Sequence, residues 1–353
     1  MRPPVYSIRG RVAAALVVTT LVFSACGTGG GSLPPTVGPA SLVPATPSDT
    51  SQATPSPSAA TSFVTDAPTL RTIADAPEST SVLTIGAQVV TNAAYASHAV
   101  TYTSDGLKIS GVLLEPKAMG AHPGVVLVHG FVDPESYTSG SELPREQDAL
   151  ARAGYVVLYT DLRGLGGSDP APAGPPDLDM GSVTDVINAV HALETSKLPS
   201  LDGKRIGLLG HSLGGLLVLD VLVAKPGLVD AGVTFAPSDV DIFDNVVRFL
   251  PADEPPYQAV VAAHGTLQTN PSYWKDLSPR TFVDRATAPL LIVHGDIDAD
   301  NLLQSSMETE ALWKAAGKDV RLLTLPGEDH VFQVRWQEAM DATIAFLAEH
   351  LGP

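Results

Sequence analysis

The chain is poor in cysteine and in basic residues. Cys26 is its single cysteine among 353 residues, so no disulfide can form within the chain and the fold must rest on its core. The chain has 21 basic and 38 acidic residues, which gives a net charge of −17. No basic stripe is left to follow a phosphate backbone, and an acidic surface is not drawn to anionic lipid. These shortages argue against nucleic acid as a partner and against membrane attachment by charge.

Large apolar side chains are scarce in the first 80 residues, except in one short run. Three arginines, Arg2, Arg9 and Arg11, precede an apolar run over residues 12–23. This is the pattern of an export signal, and the run is too short to span a bilayer comfortably. The sequence therefore predicts an exported protein.

The apolar run ends in Ser24-Ala25-Cys26-Gly27, which resembles the lipobox of bacterial lipoproteins. The resemblance implies that residues 1–25 are a signal peptide and that Cys26 becomes the acylated N-terminus. Several acyl chains would anchor the protein to a bilayer of the bacterial cell envelope, outside the cytoplasm. An ordinary cleaved signal with an incidental cysteine is the alternative, and it also implies export.

Composition divides the rest of the chain into a tether and one domain. Residues 26–80 are rich in Pro, Ser and Thr and are predicted to form a disordered tether. Residues 81–353 have the length of a single large domain. Residues 61–95 are interpreted as a linker that grades into a first short strand, and the sequence leaves open whether they pack on the domain.

From residue 97 onward, short runs of Val, Ile and Leu alternate with amphipathic stretches. This alternation predicts an α/β domain, a mostly parallel sheet flanked by helices. The predicted strands are 97–104, 107–115, 124–128, 155–160, 205–209, 231–235, 290–293 and 320–325. The predicted helices are 143–153, 182–195, 213–224, 302–316 and 335–351.

Residues 237–288 do not follow this alternation. They carry many Pro, Asp and aromatic residues between two predicted strands, where a lid is often inserted. We interpret them as a small cap. Ordinary packing of these aromatic residues against the edge of the sheet is the alternative.

The segment Gly210-His211-Ser212-Leu213-Gly214 lies between a predicted strand and a predicted helix. A sharp strand-to-helix turn brings the flanking backbones so close that only glycine fits at Gly210 and Gly214. The turn presents Ser212 at the start of the helix, where negative charge on a substrate oxygen is stabilised. Ser212 is therefore the candidate nucleophile.

A serine hydroxyl needs an imidazole to accept its proton and a carboxylate to orient that imidazole. Two later predicted strands end in such residues. The strand at 290–293 leads into His294-Gly295-Asp296-Ile297-Asp298-Ala299-Asp300, and the strand at 320–325 leads into Glu328-Asp329-His330.

In the type, order and placement of these motifs, residues 97–351 resemble the α/β-hydrolase superfamily. The similarity is to esterases, dienelactone hydrolases and prolyl-oligopeptidase-like catalytic domains in particular. It implies a catalytic triad of Ser212, Asp298 and His330. Asp296 and Asp300 are the rivals of Asp298, and His350 is the other histidine that follows it.

The resemblance also implies an oxyanion hole made by two backbone N–H groups. Leu213 would supply one, and Phe131, in the His129-Gly130-Phe131 loop after a strand, would supply the other. His129, His211 and His294 are expected to be structural.

Glycines at 164–167 do not indicate a nucleotide site. Asp161-Leu162-Arg163-Gly164 matches the Asp-x-Arg-Gly turn of α/β-hydrolases and lacks the dinucleotide spacing. No cluster of His, Cys or carboxylate residues has metal-ligand spacing, so neither a metal nor another cofactor is expected.

The predicted activity is hydrolysis of a carboxylic ester through an acyl-enzyme. The chain offers no room for the β-propeller that gates many prolyl-oligopeptidase relatives, which favours an ester over a peptide, and a serine peptidase is the alternative. A non-catalytic surface lipoprotein that uses the fold as a binding scaffold is the alternative from another class. The expected partners are a small-molecule ester or peptide, and the lipid bilayer through acylated Cys26.

Overall fold

The computed structural model describes residues 63–64 and 67–352. The predicted signal peptide, Cys26 and most of the predicted tether lie outside these residues. Among the described residues, no helix has the length and apolar character that crossing a membrane requires.

Nine strands of the described region form one sheet in the order β1-β2-β3-β5-β4-β6-β7-β8-β9. The strands are β1 (Thr84–Thr91), β2 (Tyr95–Ser104), β3 (Leu107–Pro116), β4 (His122–Val128), β5 (Val156–Thr160), β6 (Leu201–His211), β7 (Ala231–Phe235), β8 (Leu290–Gly295) and β9 (Val320–Leu325). The helices are α1 (Leu70–Asp75), α2 (Pro144–Arg152), α3 (Met180–Thr195), α4 (Leu213–Ala224), α5 (Ile242–Phe249), α6 (Pro255–His264), α7 (Pro271–Leu277), α8 (Leu303–Ala315) and α9 (Trp336–Leu351).

The sheet is antiparallel at one end and parallel through the rest. Strands β2 and β3 form a hairpin whose turn, Asp105-Gly106, has φ angles of 50° and 79°, as Asp-Gly turns favour. Strand β3 pairs antiparallel with β5, whereas every pairing from β5 to β9 is parallel. The predicted mostly parallel α/β sheet and its opening hairpin are confirmed.

Both faces of the sheet are buried. Along β4, Val126 and Val128 belong to the core cluster that also contains residues of α3 and α4. Val125 and Leu127 belong to the cluster on the opposite face, with residues of α2 and α9. Helices thus cover both faces and fix the sheet. Because the strands are parallel, the loops after β4, β6, β8 and β9 leave the sheet at the same edge.

The segment between β7 and β8 contains α5, α6, α7 and a 3₁₀ helix at Pro279–Arg285. Trp274 and Leu277 are buried in the same core cluster as α4, and the Trp274 ring lies 4.7 Å from the ring of Phe243. Trp274 and Phe243 therefore pack in the core. The interpretation of residues 237–288 as a small cap stays a prediction.

The packed region begins before residue 81, where the domain was expected to start. Thr69 caps α1, and Leu70 and Ile73 are buried. Just beyond the helix, the Lys225 ammonium donates to the Ala76 carbonyl at 2.7 Å. The prediction of a tether through residue 80 differs here because a six-residue helix with two apolar residues is too short to produce a periodic signal among Pro and Thr.

Candidate active site

Ser212 lies at the turn between β6 and α4 in an unusual backbone conformation. Its φ and ψ angles are 58° and −121°, a region that non-glycine residues occupy only when their surroundings enforce it. Its N–H donates to the Phe235 carbonyl at 2.9 Å, and its carbonyl accepts from the N–H groups of Leu216 and Ser238 at 3.1 and 3.2 Å. The backbone of this half-buried residue is thus held by β7 as well as by its own helix.

Two glycines permit this turn, as the sequence predicted. A Cβ on Gly210 would collide with the Gly214 carbonyl, and a Cβ on Gly214 would collide with the carbonyls of Val128 and His129. The first close approach forms the turn, and the second brings α4 against the end of β4. The strand, turn and helix of the nucleophile motif therefore form as expected.

The loop after β4 lies directly beside the serine. A Cβ built on Gly130 would be 2.9 Å from the Ser212 Cβ, so only backbone fits there. The next residue, Phe131, has a side chain that is 82% exposed, while Leu213 begins α4. The two residues predicted for the oxyanion hole therefore come from the two backbone segments that border Ser212.

A buried carboxylate anchors the rest of this loop. Asp161, at the end of β5, accepts hydrogen bonds from the hydroxyls of Ser110, Ser139 and Tyr137 at 2.5, 2.5 and 2.6 Å. Its backbone carbonyl lies 3.1 Å from His129 Nε2. The Asp-x-Arg-Gly turn thus supports the loop that contains Phe131, and His129 has the structural position that was expected.

Asp298 and His330 lie together at the same edge of the sheet. His330 Nδ1 is 2.8 Å from Asp298 Oδ2, with the two side chains 14% and 0% exposed. The other carboxylate oxygen, Oδ1, accepts the N–H groups of Asp300 and Asn301, each at 2.9 Å.

The two rival carboxylates have other surroundings. Asp296 is exposed and accepts the Gly327 N–H at 2.6 Å, and Asp300 is also exposed. Of the three aspartates, Asp298 is the one that is buried and hydrogen-bonded to His330. His350 lies at the end of α9, with its ring 4.6 Å from that of Phe346.

The surroundings of Asp298 favour its charged form. Burial by itself would raise its pKa, but hydrogen bonds from His294 and His330, the charge of His330 and the Asn301 N–H outweigh burial and hold the pKa well below its usual value. His294 Nε2 is 3.2 Å from Asp298 Oδ2 and 3.0 Å from the Asn301 carbonyl oxygen, and its Nδ1 is 2.7 Å from the Ser306 hydroxyl. His294 was expected to be structural, and its contact with Asp298 was not foreseen.

His211 contacts the segment that carries His330. Its Nε2 lies 2.8 Å from the His330 carbonyl oxygen, and the two rings are 4.7 Å apart. Burial, and then the positive charge of His330, lower the pKa of His211 to about 4. The imidazole is therefore neutral at physiological pH and donates from Nε2 to that carbonyl.

Asp298, Asp300 and His330 each offer one ligand atom, and these atoms lie within 4.8 Å of one another. Such spacing could admit a cation. However, the nearest pair of atoms, on His330 and Asp298, already form a hydrogen bond, so a cation would have to displace the proton between them.

A cavity of about 500 Å³ borders the residues that follow Asp298. Asn301 is in its wall, and the Asn301 amide also donates to the Ala236 carbonyl at 2.8 Å. The remaining lining residues are Asp239, Asp244, Asn245, Val247, Arg248, Leu302 and Ser305. The cavity thus borders the turn after β8 that contains Asp298, and its lining does not include Ser212 or His330.

Comparison with known proteins places the chain in a family. A family model described as the prolyl oligopeptidase family matches residues 141–353, more than half of the chain. The uncharacterized peptidase YuxL of Bacillus subtilis is 26% identical over 235 residues, covering 65% of this chain and 34% of that protein. The human acylamino-acid-releasing enzyme is 26% identical over 262 residues, covering 70% and 34%. The chain thus spans about a third of the length of these two relatives.

Among solved structures, acetyl xylan esterase 1 from Thermoanaerobacterium sp. JW/SL YS485 aligns with a TM-score of 0.56 at 19% identity. The alignment covers 79% of this chain and 92% of the esterase. At this identity the likeness concerns the fold, and it confirms the α/β-hydrolase architecture. Together with the family match, it shows that the chain belongs to the prolyl oligopeptidase family of α/β-hydrolase fold proteins.

Proposed function

We propose that this chain hydrolyses carboxylic esters through an acyl-enzyme formed on Ser212. The observation that carries the proposal is the bond between His330 Nδ1 and Asp298 at 2.8 Å. With the Nδ1 proton donated to a carboxylate, Nε2 of a neutral His330 is left without a proton. It can then accept the proton of the serine hydroxyl.

Acylation follows from this arrangement. The Ser212 oxygen attacks the ester carbonyl while its proton passes to His330 Nε2, and the carbonyl oxygen becomes negatively charged. The N–H groups of Leu213 and Phe131 would donate to that oxygen, and the start of α4 adds the favourable field of a helix N-terminus. The tetrahedral intermediate then expels the alcohol, which takes the proton from His330.

Deacylation repeats the steps with water. His330 accepts a proton from the water molecule that attacks the acyl-enzyme, and returns a proton to Ser212 as the acid leaves. Asp298 stays ionised throughout, because its low pKa favours the carboxylate that stabilises the imidazolium. The products are one carboxylic acid and one alcohol.

Exposed apolar side chains support an ester as substrate. Phe131, Ile297 and Val331 are 82%, 61% and 46% exposed. Phe131 belongs to the proposed oxyanion hole, and Ile297 and Val331 are adjacent in sequence to Asp298 and His330. Such side chains suit an apolar acyl or alcohol group. A serine peptidase is the second candidate, favoured by the family match and by the peptidase name of YuxL.

The serine assignment is tested by labelling with a fluorophosphonate probe, with Ser212→Ala as the matched control. We expect covalent labelling of the folded protein and none of the variant. Folded wild-type protein that resists the probe would instead favour the non-catalytic scaffold. Hydrolysis of nitrophenyl esters compared with proline-containing peptide amides then separates the two activities, and cleavage of peptides alone would overturn the ester proposal.

We also propose that the chain is exported and anchored to the membrane by acyl chains on Cys26. The support is the Ser24-Ala25-Cys26-Gly27 segment after an apolar run. Growth with a labelled fatty acid should label the protein and place it in the membrane fraction. Cys26→Ala should abolish both, and an unlabelled wild-type protein would contradict the anchor.

A further inference from the structure

The segment that carries His330 is irregular and has an unfavourable backbone conformation. It joins β9 to α9 over residues 326–335. Phe332, two residues after His330, has a φ angle of 53°, although a bulky side chain disfavours the left-handed region. Its side chain is 2% exposed, and its ring lies 5.2 Å from that of Phe235. The side chain is fixed by packing, and the backbone on either side of it is held by hydrogen bonds: the carboxylates of Asp329 and Glu328 accept the N–H groups of Val331 and Val334.

Arg145 of α2 holds this backbone. Its Nη2 donates to the Val331 carbonyl at 2.8 Å and its Nη1 to the Phe332 carbonyl at 3.2 Å. The guanidinium also lies 5.1 Å from the centre of the Trp336 ring. One side chain therefore binds both carbonyls that directly follow His330.

Glu146, the residue next to Arg145, also connects α2 to the end of the His330 segment. Glu146 is 2% exposed and accepts the indole N–H of Trp336 at 2.5 Å. Its carboxylate is also 3.8 Å from Arg145. The first turn of α2 is thus joined to the start of α9, which directly follows the His330 segment in the chain.

The position of Arg145 in α2 is itself unfavourable for the helix. A basic residue in the first turn opposes the helix dipole, and Leu143 before the helix has a φ of 52° and makes no side-chain cap. A residue that is unfavourable for its own helix is expected to make a favourable contact elsewhere in the fold. Here the favourable contacts are those with Val331 and Phe332.

His211 provides the second contact, from the nucleophile turn. Its neutral imidazole donates to the carbonyl of His330 itself at 2.8 Å. A protonated His211 would put a second positive charge beside the imidazolium that forms on His330 during reaction. A neutral donor fixes the backbone without that repulsion.

We propose that Arg145 and His211 are positioning residues, which together hold the His330 segment in the conformation that proton transfer with Ser212 requires. This inference rests on the proposed function. Arg145 fixes the two carbonyls after His330, and His211 fixes the carbonyl of His330. Both act through backbone carbonyls: in the described region, no hydrogen bond joins either side chain to the Ser212 hydroxyl or to the His330 imidazole.

The test of Arg145 uses three variants on one helix. For Arg145→Ala we expect kcat for a nitrophenyl ester to fall about tenfold or more with KM within twofold, since small displacements of a catalytic base reduce the rate of the chemical step. Arg145→Lys should recover part of the loss because an ammonium can still donate to one carbonyl. Arg152→Ala removes an exposed ion pair with Asp148 from the same helix and should keep the wild-type kcat.

The test of His211 separates hydrogen bonding from packing. His211→Gln keeps an N–H donor and should retain more of kcat than His211→Leu, which removes it. Circular dichroism and urea unfolding identify the variants that remain folded. If folded Arg145→Ala and His211→Leu both keep the wild-type kcat, the inference is overturned.

A spectroscopic measurement makes the inference independent of turnover. The Nδ1 proton that His330 shares with Asp298 should give a downfield proton resonance, which Arg145→Ala should broaden or shift and Arg152→Ala should leave unchanged. If wild-type protein neither turns over esters nor reacts with the fluorophosphonate, the proposed function fails, and this resonance still decides the positioning role. An identical resonance in Arg145→Ala would overturn that role.

Discussion

The turn after β8 and the middle of α4 each bury one aspartate, and the two have opposite surroundings. Asp298 is 6% exposed, and its carboxylate is within hydrogen-bond distance of four donors, on Asp300, Asn301, His330 and His294. Asp220, eight residues after Ser212, is 1% exposed. Neither of its carboxylate oxygens has a hydrogen-bond partner among the described residues.

The difference in donors reverses the effect of burial. Hydrogen bonds and the charge of His330 outweigh burial at Asp298 and lower its pKa. At Asp220 burial, and then the charge of Asp179, raise the pKa well above its ordinary value. Burial makes a carboxyl neutral unless donors surround it. The charged aspartate can therefore serve His330, whereas the neutral one is left outside the proposed mechanism.

The largest expected effect comes from removing the charge of Asp298. Asp298→Asn should lower kcat about 10⁴-fold with little change in the fold, because the amide cannot stabilise the imidazolium or enforce the same His330 tautomer. Ester hydrolysis at pH 7 measures it. Asp300→Asn, which changes an exposed carboxylate two residues away, should lower kcat less than tenfold. A similar loss in both variants would mean that Asp298 has no special role.

Removing one hydrogen-bond donor should raise the pKa of Asp298 toward the behaviour of Asp220. His294→Leu deletes the imidazole 3.2 Å from Asp298, and we expect kcat to fall about 10- to 100-fold, the effect of losing one charge-assisted hydrogen bond of about 1.5–3 kcal/mol. His294→Gln keeps an N–H donor at this buried position and should retain more of kcat. Equal kcat values in the two variants would show that His294 acts through packing alone.

The positions of the proposed catalytic residues and the bounds of α4 are features that the sequence predicts. Ser212, Asp298 and His330 each follow a strong strand signal within a few residues, so local pattern predicts that the three loops lie at one edge of the sheet. The choice of Asp298 over Asp296 and Asp300 comes from the resemblance to α/β-hydrolases. The boundaries of α4 at Leu213–Ala224 were predicted to the residue for the same reason.

What sequence could not predict depends on long-range contacts. Arg145 and Val331 are 186 residues apart, and nothing near Arg145 indicates that its partner is a carbonyl. The positive φ of Phe332 likewise has no signal in a residue type that avoids this region. Asp220 interrupts the apolar helix α4, and nothing in the sequence indicates that its carboxyl group is buried without a hydrogen-bond partner among the described residues.

Replacing Asp220 with an apolar residue should stabilise the protein. At pH 5, Asp220→Leu should raise the free energy of unfolding by about 1–3 kcal/mol, because it removes a buried polar group without hydrogen bonds. Urea unfolding measures the gain, and ester hydrolysis should be unchanged. A large loss of stability would show that the carboxyl is satisfied in solution, for example by bound water.

The pH dependence of the stability of Asp220→Asn gives the sharpest contrast with Asp298. The folded pKa of Asp220 is raised, so above the unfolded value of about 3.9 the folded state holds a proton that the unfolded state has lost. Wild-type stability then falls as pH rises, by at most about 1.4 kcal/mol per pH unit. Asn cannot ionise, so the advantage of Asp220→Asn should grow between pH 5 and 7.

The contribution of Asp298 has the opposite sign and a different pH window. Its folded pKa is lowered, so its stabilisation is fully present above about pH 5 and is lost only as pH falls further. Asp298→Asn should therefore change stability by a constant amount between pH 5 and 7. Urea unfolding of both variants at pH 5, 6 and 7 measures the two slopes. Parallel slopes would mean that the two buried aspartates share one protonation state, and the contrast between their surroundings would then have no energetic consequence.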